Sequence, residues 1–394
     1  GQIWNKEINV KKLLFITGTR ADFGKLEPLA SSAKSAGFGI YFFVTGMHLL
    51  EKYGLTSIEV SRMKNITRFE FVNQMEGDPP DKILSRTITG ISEYVSRLNP
   101  DLVLIHGDRI EAVAASLVCA TKNIRSAHIE GGEVSGTIDE VYRHCNTKLC
   151  TVHFVSSKSA KKRVTKLGEH PGRVFVLGSP ELDAHKARNS ISLNEVLNYY
   201  DIEWDDYGIF IFHSVTSELE SLKKEIQFCC DALKKTKKNF VVIAPNNDPG
   251  CEIIFKTLGK LPKSNFKLIP SMRFAYFSTL LKHAKVIIGN SSAGVREAPF
   301  LGVSSINIGS RQFKRGGAKS IKNFDVLKNG QLEKLVEKQW GKRFDPDHSF
   351  GTGQSAKKFS KILNEKKIWE LNLQKTFFET SSQRETPVLN KKSC

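Results

Sequence analysis

Short apolar, β-rich runs alternate along most of the chain with stretches whose apolar residues recur at helical spacing. Two runs, Leu102–Ile105 and Ala127–Ile129, lie between helical patterns. They read as buried strands of a parallel sheet, because such strands are covered on both faces and show no polar alternation. Each ends in a polar cluster: His106-Gly107-Asp108-Arg109 after the first, Glu130-Gly131-Gly132-Glu133 after the second. In open α/β sheets the carboxyl ends of the strands face the ligand crevice. The pattern therefore puts Asp108 and Glu130 where chemistry usually occurs, with Asp139 and the Arg143-His144 pair following shortly.

The same alternation runs through both halves. A first strand is predicted over Lys11–Thr17, broken by Gly18 to Gly24, with a helix from Lys25 to about Ser35 and a second strand over Gly39–Thr45. Helices over about 80–98, 110–121, 139–149 and 157–168 separate strands at 102, 126, Thr151–Val155 and Val174–Leu177. From Ala184 to Asp206 the chain turns polar, which predicts a domain boundary. Strands are expected again over Tyr207–Phe212, Phe240–Ala244, Phe266–Ile269, Val286–Ile288 and Val303–Ile308, with helices near 273–283, 329–340 and 355–364. Ile368–Glu379 reads as a last helix lying back across the first half. The expectation is α/β: two Rossmann-like, doubly wound domains, 1–185 and 186–375, with a polar tail over 376–394.

Composition changes this picture little. A chain of 394 residues exceeds one ordinary core, which agrees with two domains. No run approaches the roughly 18 uncharged apolar residues of a membrane helix. Gly1–Lys12 lacks the layout of a signal peptide, so a cytoplasmic protein without membrane insertion is expected. The seven cysteines form no CxxC pair, which argues against a zinc or disulfide framework. The net charge of +18 is spread along the chain without interleaved stacking aromatics, so no nucleic-acid partner is expected. A basic surface would equally attract an anionic nucleotide.

The polar clusters at strand ends carry the candidate chemistry. Arg20 and Lys25 stand near a helix start, where cations and backbone N–H groups can both meet phosphate. Gly289-Asn290-Ser291-Ser292-Ala293-Gly294 lies between a strand and an expected helix. Small residues there let backbone amides reach phosphate, two hydroxyls add donors, and a helix dipole would favour the anion. Glu297, about one turn further on, could accept from sugar hydroxyls. His213 closes the run Ile209–Phe212 at the crevice rim. Asp108, Glu130 and Asp139 together suggest an acid/base set. Pattern alone names no sugar, base or reaction.

The motifs themselves are familiar. ITGTRADFGKL, VTGMHL, IHGDRIEA, HIEGGEVSGTIDEVYRH, GSPELD, PNND, GNSSAGVREAP and GSRQ, in this order, closely resemble the hydrolysing UDP-N-acetylglucosamine 2-epimerases of capsule and sialic-acid synthesis, from about Lys11 to Lys375. The resemblance implies a GT-B-like fold with the active site in the cleft between the two domains. It also implies conversion of UDP-GlcNAc and water to N-acetylmannosamine and UDP, by elimination of UDP to a glycal followed by hydration. Carried over by motif, Asp108, Glu130 and Asp139 are catalytic carboxylates, His213 acts beside the pyrophosphate, and Arg109 lies in the sugar pocket. Arg20, Lys25, Ser291, Ser292, Glu297 and Arg311 match UDP-binding positions, and Asn246, Met272 and Phe277 fall where the uracil would sit. No metal or cofactor is implied, and homodimers or homotetramers are usual among relatives.

Two departures stand out. Ser214 and Ser304 replace prolines that the family pattern would place beside the site, which predicts looser loops without loss of a reacting group. A close alternative is the same chemistry on UDP- or GDP-linked N,N'-diacetylbacillosamine for legionaminic acid. A retaining glycosyltransferase would share the fold without needing the three acids. A non-catalytic nucleotide-sugar sensor would bind UDP without turnover.

Overall fold

The computed structural model describes residues 10–51, 55–75, 77–135, 139–186, 191–215, 218–245, 249–312, 314–328 and 330–379. The chain divides into two compact units. The first comprises 1–133, 142–177 and 356–394, and the second 134–141 and 178–355. The division thus falls at Leu177–Gly178, and everything from Ala356 onward groups with the first unit.

In the first unit the strands are β1 (Lys12–Thr17), β2 (Gly39–Val44), β3 (Thr67–Glu70), β4 (Leu102–His106), β5 (Ser126–Ile129), β6 (Val152–Val155) and β7 (Val174–Val176). They form a parallel sheet in the order β3-β2-β1-β4-β5-β6-β7. Leu13, Phe15, Phe42, Leu102, Leu104 and Phe154 are buried in the middle of the sheet, each contributing roughly 1.5–3 kcal/mol by leaving water. In the second unit β8 (Gly208–Ile211), β9 (Phe240–Ile243), β10 (Phe266–Ile269), β11 (Ile287–Gly289), β12 (Ser305–Ile308) and β13 (Ile321–Phe324) pair in parallel in the order β10-β9-β8-β11-β12-β13. Both sheets are doubly wound, and in both the chain order reverses beside the first strand. Such a reversal opens a crevice at the strands' carboxyl ends.

Two strands have no counterpart in the sequence pattern. β3 (TRFE) and β13 (IKNF) are short, polar and half-exposed edge strands, which carry charge at a sheet margin and lack an apolar run. The first helix begins at Arg20, five residues earlier than expected. The Thr19 hydroxyl caps the Asp22 N–H at 3.1 Å, and Gly24 is absorbed into the helix. The expected last helix over 368–379 is helical only across Lys366–Glu370. There the Arg125 guanidinium donates to the carbonyls of Ile368, Trp369 and Leu371 at 2.8–3.0 Å, meeting the acceptors that a further turn would have used. Among the described residues no helix is long and apolar enough to cross a membrane. Cys119, Cys150, Cys229 and Cys230 are buried free thiols.

Candidate active site

The switch point of the first sheet lies between β1 and β4. Past β4, the Gly107 N–H bonds the Ile129 carbonyl at 3.1 Å, so the His106-Gly107-Asp108 turn stays in register with the end of β5. Its carbonyl is fixed from below by His128 Nε2 at 2.7 Å and Asn146 Nδ2 at 3.1 Å. Burial first, then the positive charge nearby, drives His128 down to about 3. It is therefore neutral, with its proton on Nε2 facing that carbonyl and Nδ1 accepting from the Thr147 hydroxyl at 2.9 Å.

Glu130, one residue beyond β5, has the left-handed backbone φ of +66°. A non-glycine residue held there costs about 1–3 kcal/mol, a strain that concentrates at functional sites. Its buried carboxylate accepts from Lys25 Nζ at 2.8 Å and from His106 Nε2 at 3.0 Å, both on Oε2. The other nitrogen of His106, Nδ1, lies 2.8 Å from Asp22 Oδ1. Burial alone would lower His106, but the bonds to Asp22 and Glu130 override it and hold the imidazole at about 9. Burial would raise Asp22, and His106, Arg109 and the Gly18 N–H together depress it instead. Asp108 forms an ion pair with Arg143, whose other amino group bonds the Glu133 carbonyl at 3.3 Å. A small pocket opens among Ile16, Gly18, Asp22, Ile105, His106, Arg109, Glu111 and Ala112. Gly46 must be glycine beside it: its φ is +64°, and a Cβ would fall 2.7 Å from Glu111 Oε1.

Lys25 and Arg109 lie at this cluster, each beside a carboxylate. Lys25, expected on phosphate, has its ammonium on Glu130. Arg20 pairs with Glu59 at 2.9 Å. Arg109 is the N-cap residue of the helix Ile110–Thr121, with Nε 3.8 Å from Glu111. Asp139 is the exposed first residue of the helix Asp139–Leu149. Asp22 and His106 bond each other within this cluster, yet nothing in the sequence pattern marks them as a pair. The T-x-x-D start of the first helix is the one local signal.

The second sheet's switch point lies between β8 and β11. There the Asn290 side chain accepts the His213 N–H at 2.7 Å and donates to the His213 carbonyl at 2.8 Å, tying the two strand ends together. Arg311 and Gln312 both donate to the Asn290 carbonyl, at 3.0 and 3.1 Å. Gly289, with φ +134°, passes so close to β8 that a Cβ would lie 1.7 Å from the Ile211 carbonyl oxygen. The helix expected after this loop is short. A single 3-10 turn, Ser292–Gly294, is followed by the four-residue helix Glu297–Phe300, which contains Pro299. The macrodipole contribution is correspondingly small, leaving local N–H groups and the Ser291 and Ser292 hydroxyls as donors. Ser291 itself accepts the Ala293 N–H at 3.3 Å.

Glu297 is buried, with Oε1 3.7 Å from His185 Nε2. Met272 and Phe277 are nine-tenths buried in the apolar cluster beside β8. Asn246 lies outside the described residues. Ser304, at a position where proline was expected, is buried and donates to Gln339 Oε1 at 3.2 Å.

Two doubly wound parallel sheets, one with cation-paired carboxylates at its switch point and one with a small-residue loop at its own, place the chain among the GT-B-like α/β proteins. The family model for UDP-N-acetylglucosamine 2-epimerase matches residues 31–364, and the chain belongs to that family. It is 40% identical over 374 residues to the UDP-N-acetylglucosamine 2-epimerase of Neisseria meningitidis serogroup B, covering 94% of this chain and 99% of that one. It is 30% identical over 362 residues to the hydrolysing UDP-N,N'-diacetylbacillosamine 2-epimerase of Legionella pneumophila, covering 90% and 96%. Among solved structures, a UDP complex of Staphylococcus aureus MnaA superposes with a TM-score of 0.72 at 21% identity, covering 94% of this chain and 100% of that one. At that identity the likeness speaks for the fold.

Proposed function

We propose that the protein is a hydrolysing UDP-N-acetylglucosamine 2-epimerase, releasing N-acetylmannosamine and UDP for sialic acid synthesis. In this reading a carboxylate takes the C2 proton while the C1–O bond breaks and its electron pair leaves with UDP. The glycal so formed is protonated at C2 from the opposite face, and water adds at C1. The observation that carries the proposal is the pair of carboxylates at neighbouring strand ends, each held by cations: Asp108 by Arg143, Glu130 by Lys25 and His106. A carboxylate paired with cations in this way can act as base or steady developing positive charge at C1. Asp139 completes the acid/base set, with Arg109 in the sugar pocket and His213 at the pyrophosphate. Arg20, Lys25, Ser291, Ser292, Glu297 and Arg311 serve UDP, and Asn246, Met272 and Phe277 the base. The hydrolysing relative at 30% identity supports water as the second substrate.

The same relative favours a second reading, identical chemistry on a diacetylbacillosamine-linked nucleotide. Proton NMR of the purified protein with UDP-GlcNAc in D2O separates the cases. Free N-acetylmannosamine carrying deuterium at C2, together with UDP, is the expected product. UDP-linked N-acetylmannosamine would refute hydrolysis. No reaction with this sugar, and turnover of the diacetylated one, would move the assignment to the second reading.

A further inference from the structure

Glu130 is one end of a buried chain of alternating charge. Lys25 Nζ and His106 Nε2 share its Oε2, at 2.8 and 3.0 Å, and His106 Nδ1 reaches Asp22 Oδ1 at 2.8 Å. Asp22 is fixed in turn: Oδ2 accepts the Gly18 N–H at 3.2 Å, and its own N–H is capped by Thr19. The side chains of His106, Glu130 and Asp22 are all about nine-tenths buried. A neutral imidazole has one N–H and one lone pair, so it could serve only one of two carboxylates and would turn its lone pair on the other. With both carboxylates ionised, a ring lying within hydrogen-bond distance of one at each nitrogen carries both protons.

We propose that Asp22 and His106 are positioning residues for Glu130: Asp22 holds His106 as an imidazolium, which with Lys25 pins Oε2 of Glu130, keeping that carboxylate ionised and in one orientation. The proposal rests on the reading of Glu130 as a reacting carboxylate. Asp22 and His106 need not touch substrate. The arrangement resembles a base–orienter pair with its polarity reversed, since the histidine is the charged orienter and the carboxylate the group presented. The strained backbone of Glu130 fits the same role. A side chain launched from an unfavourable φ needs outside contacts to hold its direction, and two cations on one oxygen supply them.

Among the described residues, these charged and titratable groups lie around the imidazole. Asp22 and Lys25 come from the helix Arg20–Ser35, Glu130 from the end of β5, Arg109 from the turn after β4, and Glu111 from the helix Ile110–Thr121 lining the same pocket. His128, from β5, is neutral. Removing the imidazolium takes a cation from beside Glu130, which favours its protonated form.

The test compares His106→Gln, Asp22→Asn and Glu130→Gln in the full-length protein, with UDP-GlcNAc turnover followed by NMR across pH and UDP affinity by calorimetry. For His106→Gln and Asp22→Asn, kcat should fall about tenfold to a hundredfold, as for outer-shell orienters elsewhere, with UDP affinity within about threefold of wild type. The acid limb of kcat/KM should move up by roughly one pH unit in both. In Asp22→Asn the alkaline limb should move down, because the imidazolium has lost its counter-ion. Unchanged kcat and unchanged limbs in both variants, beside an inactive Glu130→Gln, would overturn the positioning role alone. A fully active Glu130→Gln would instead overturn the reading of Glu130 beneath it.

Histidine-labelled wild-type protein keeps the proposal testable should either variant fail to fold. One resonance should remain imidazolium at pH 8 and be the one displaced in whichever variant folds. With neither folded, the wild-type spectrum decides by itself. Ten neutral rings at pH 8 would overturn the proposal.

Discussion

Glu169 ties the C-terminal segment to the first unit, and removing its charge should cost stability without touching turnover. Its carboxylate is 1% exposed and accepts from His153 Nε2 and Lys148 Nζ at 2.7 Å and from Lys375 Nζ at 2.8 Å. Burial would raise it, yet these three donors hold it down to about 2 against an ordinary 4.5. At about 1.4 kcal/mol for each tenfold change in proton affinity, that gap corresponds to about 3 kcal/mol. The figure lies within the roughly 3–5 kcal/mol seen when a buried ion pair loses one partner. Glu169→Gln keeps the shape and leaves the mostly buried Lys375 ammonium facing a neutral amide. At about 2–4 °C per kcal/mol, calorimetric melting of the first unit should fall by about 6–12 °C.

The sign with pH follows from the depressed value. The stabilisation is complete above about 4.5 and is lost as pH falls through about 2. The difference between wild type and variant should therefore persist from pH 5 to 8 and close in strong acid. Turnover of UDP-GlcNAc at 25 °C should stay within about twofold. Equal melting at pH 7 would refute this account of how the C-terminal segment is held.

Gly289→Ala should be among the most disruptive single changes in the second unit. Its Cβ would meet the Ile211 carbonyl at 1.7 Å at a φ of +134°, so a loss of about 3 kcal/mol or more is expected in urea unfolding, with weakened UDP binding by calorimetry. Arg143→Met strips Asp108 of its cation and should lower kcat by about tenfold or more without preventing folding, as read by NMR turnover and circular dichroism. His106 carries a raised value, so its stabilising contribution is complete below its ordinary 6.5 and is lost as pH rises through about 9. Wild-type urea midpoints should therefore fall between pH 7 and 10 more steeply than those of His106→Gln, and parallel curves would contradict it.

What could be read from the sequence follows from what each element buries. β1, β4 and β8 are continuous apolar runs because both faces are covered, and they stand out without any tertiary information. β3 and β13 carry threonine, lysine and asparagine at the margins, where one side of the strand pairs with nothing, so no apolar run announces them. Asp108 and Glu130 were legible as strand-end residues. The Asp22–His106 contact spans 84 positions and exists because β4, not β2's other neighbour in sequence, lies against β1. That reversal of strand order is a property of the whole sheet, and no local window contains it. Lys25 was legible as a cation at an expected helix start that in fact lies five residues earlier, and its pairing with Glu130, 105 positions away, was not legible. The loop at Gly289–Gly294 was legible as a small-residue turn at a strand end. The short turn that follows it reflects Pro299 and the packing of Glu297 against His185, and the apolar pattern gives no sign of either.

The first sheet carries two buried ionic clusters, and their positions divide their roles. Asp22, His106, Glu130, Lys25, Asp108 and Arg143 gather at the carboxyl ends of β4 and β5. Glu169 precedes β7 and Arg125 precedes β5, so the cluster that receives the C-terminal segment lies at the amino ends. Burying charge is expensive, and an apolar replacement of equal volume is often as stable or more so. At the amino ends the cluster answers a structural need, since Lys375 and the carbonyls of Ile368, Trp369 and Leu371 bring polar groups that require partners. At the carboxyl ends no returning segment among the described residues imposes that need. Charges kept there against their desolvation cost, around a strained Glu130, are better explained by chemistry than by folding. The two edges should therefore separate in experiment: substitutions around Glu169 move melting and spare turnover, whereas substitutions around Glu130 lower turnover whatever stability they also cost.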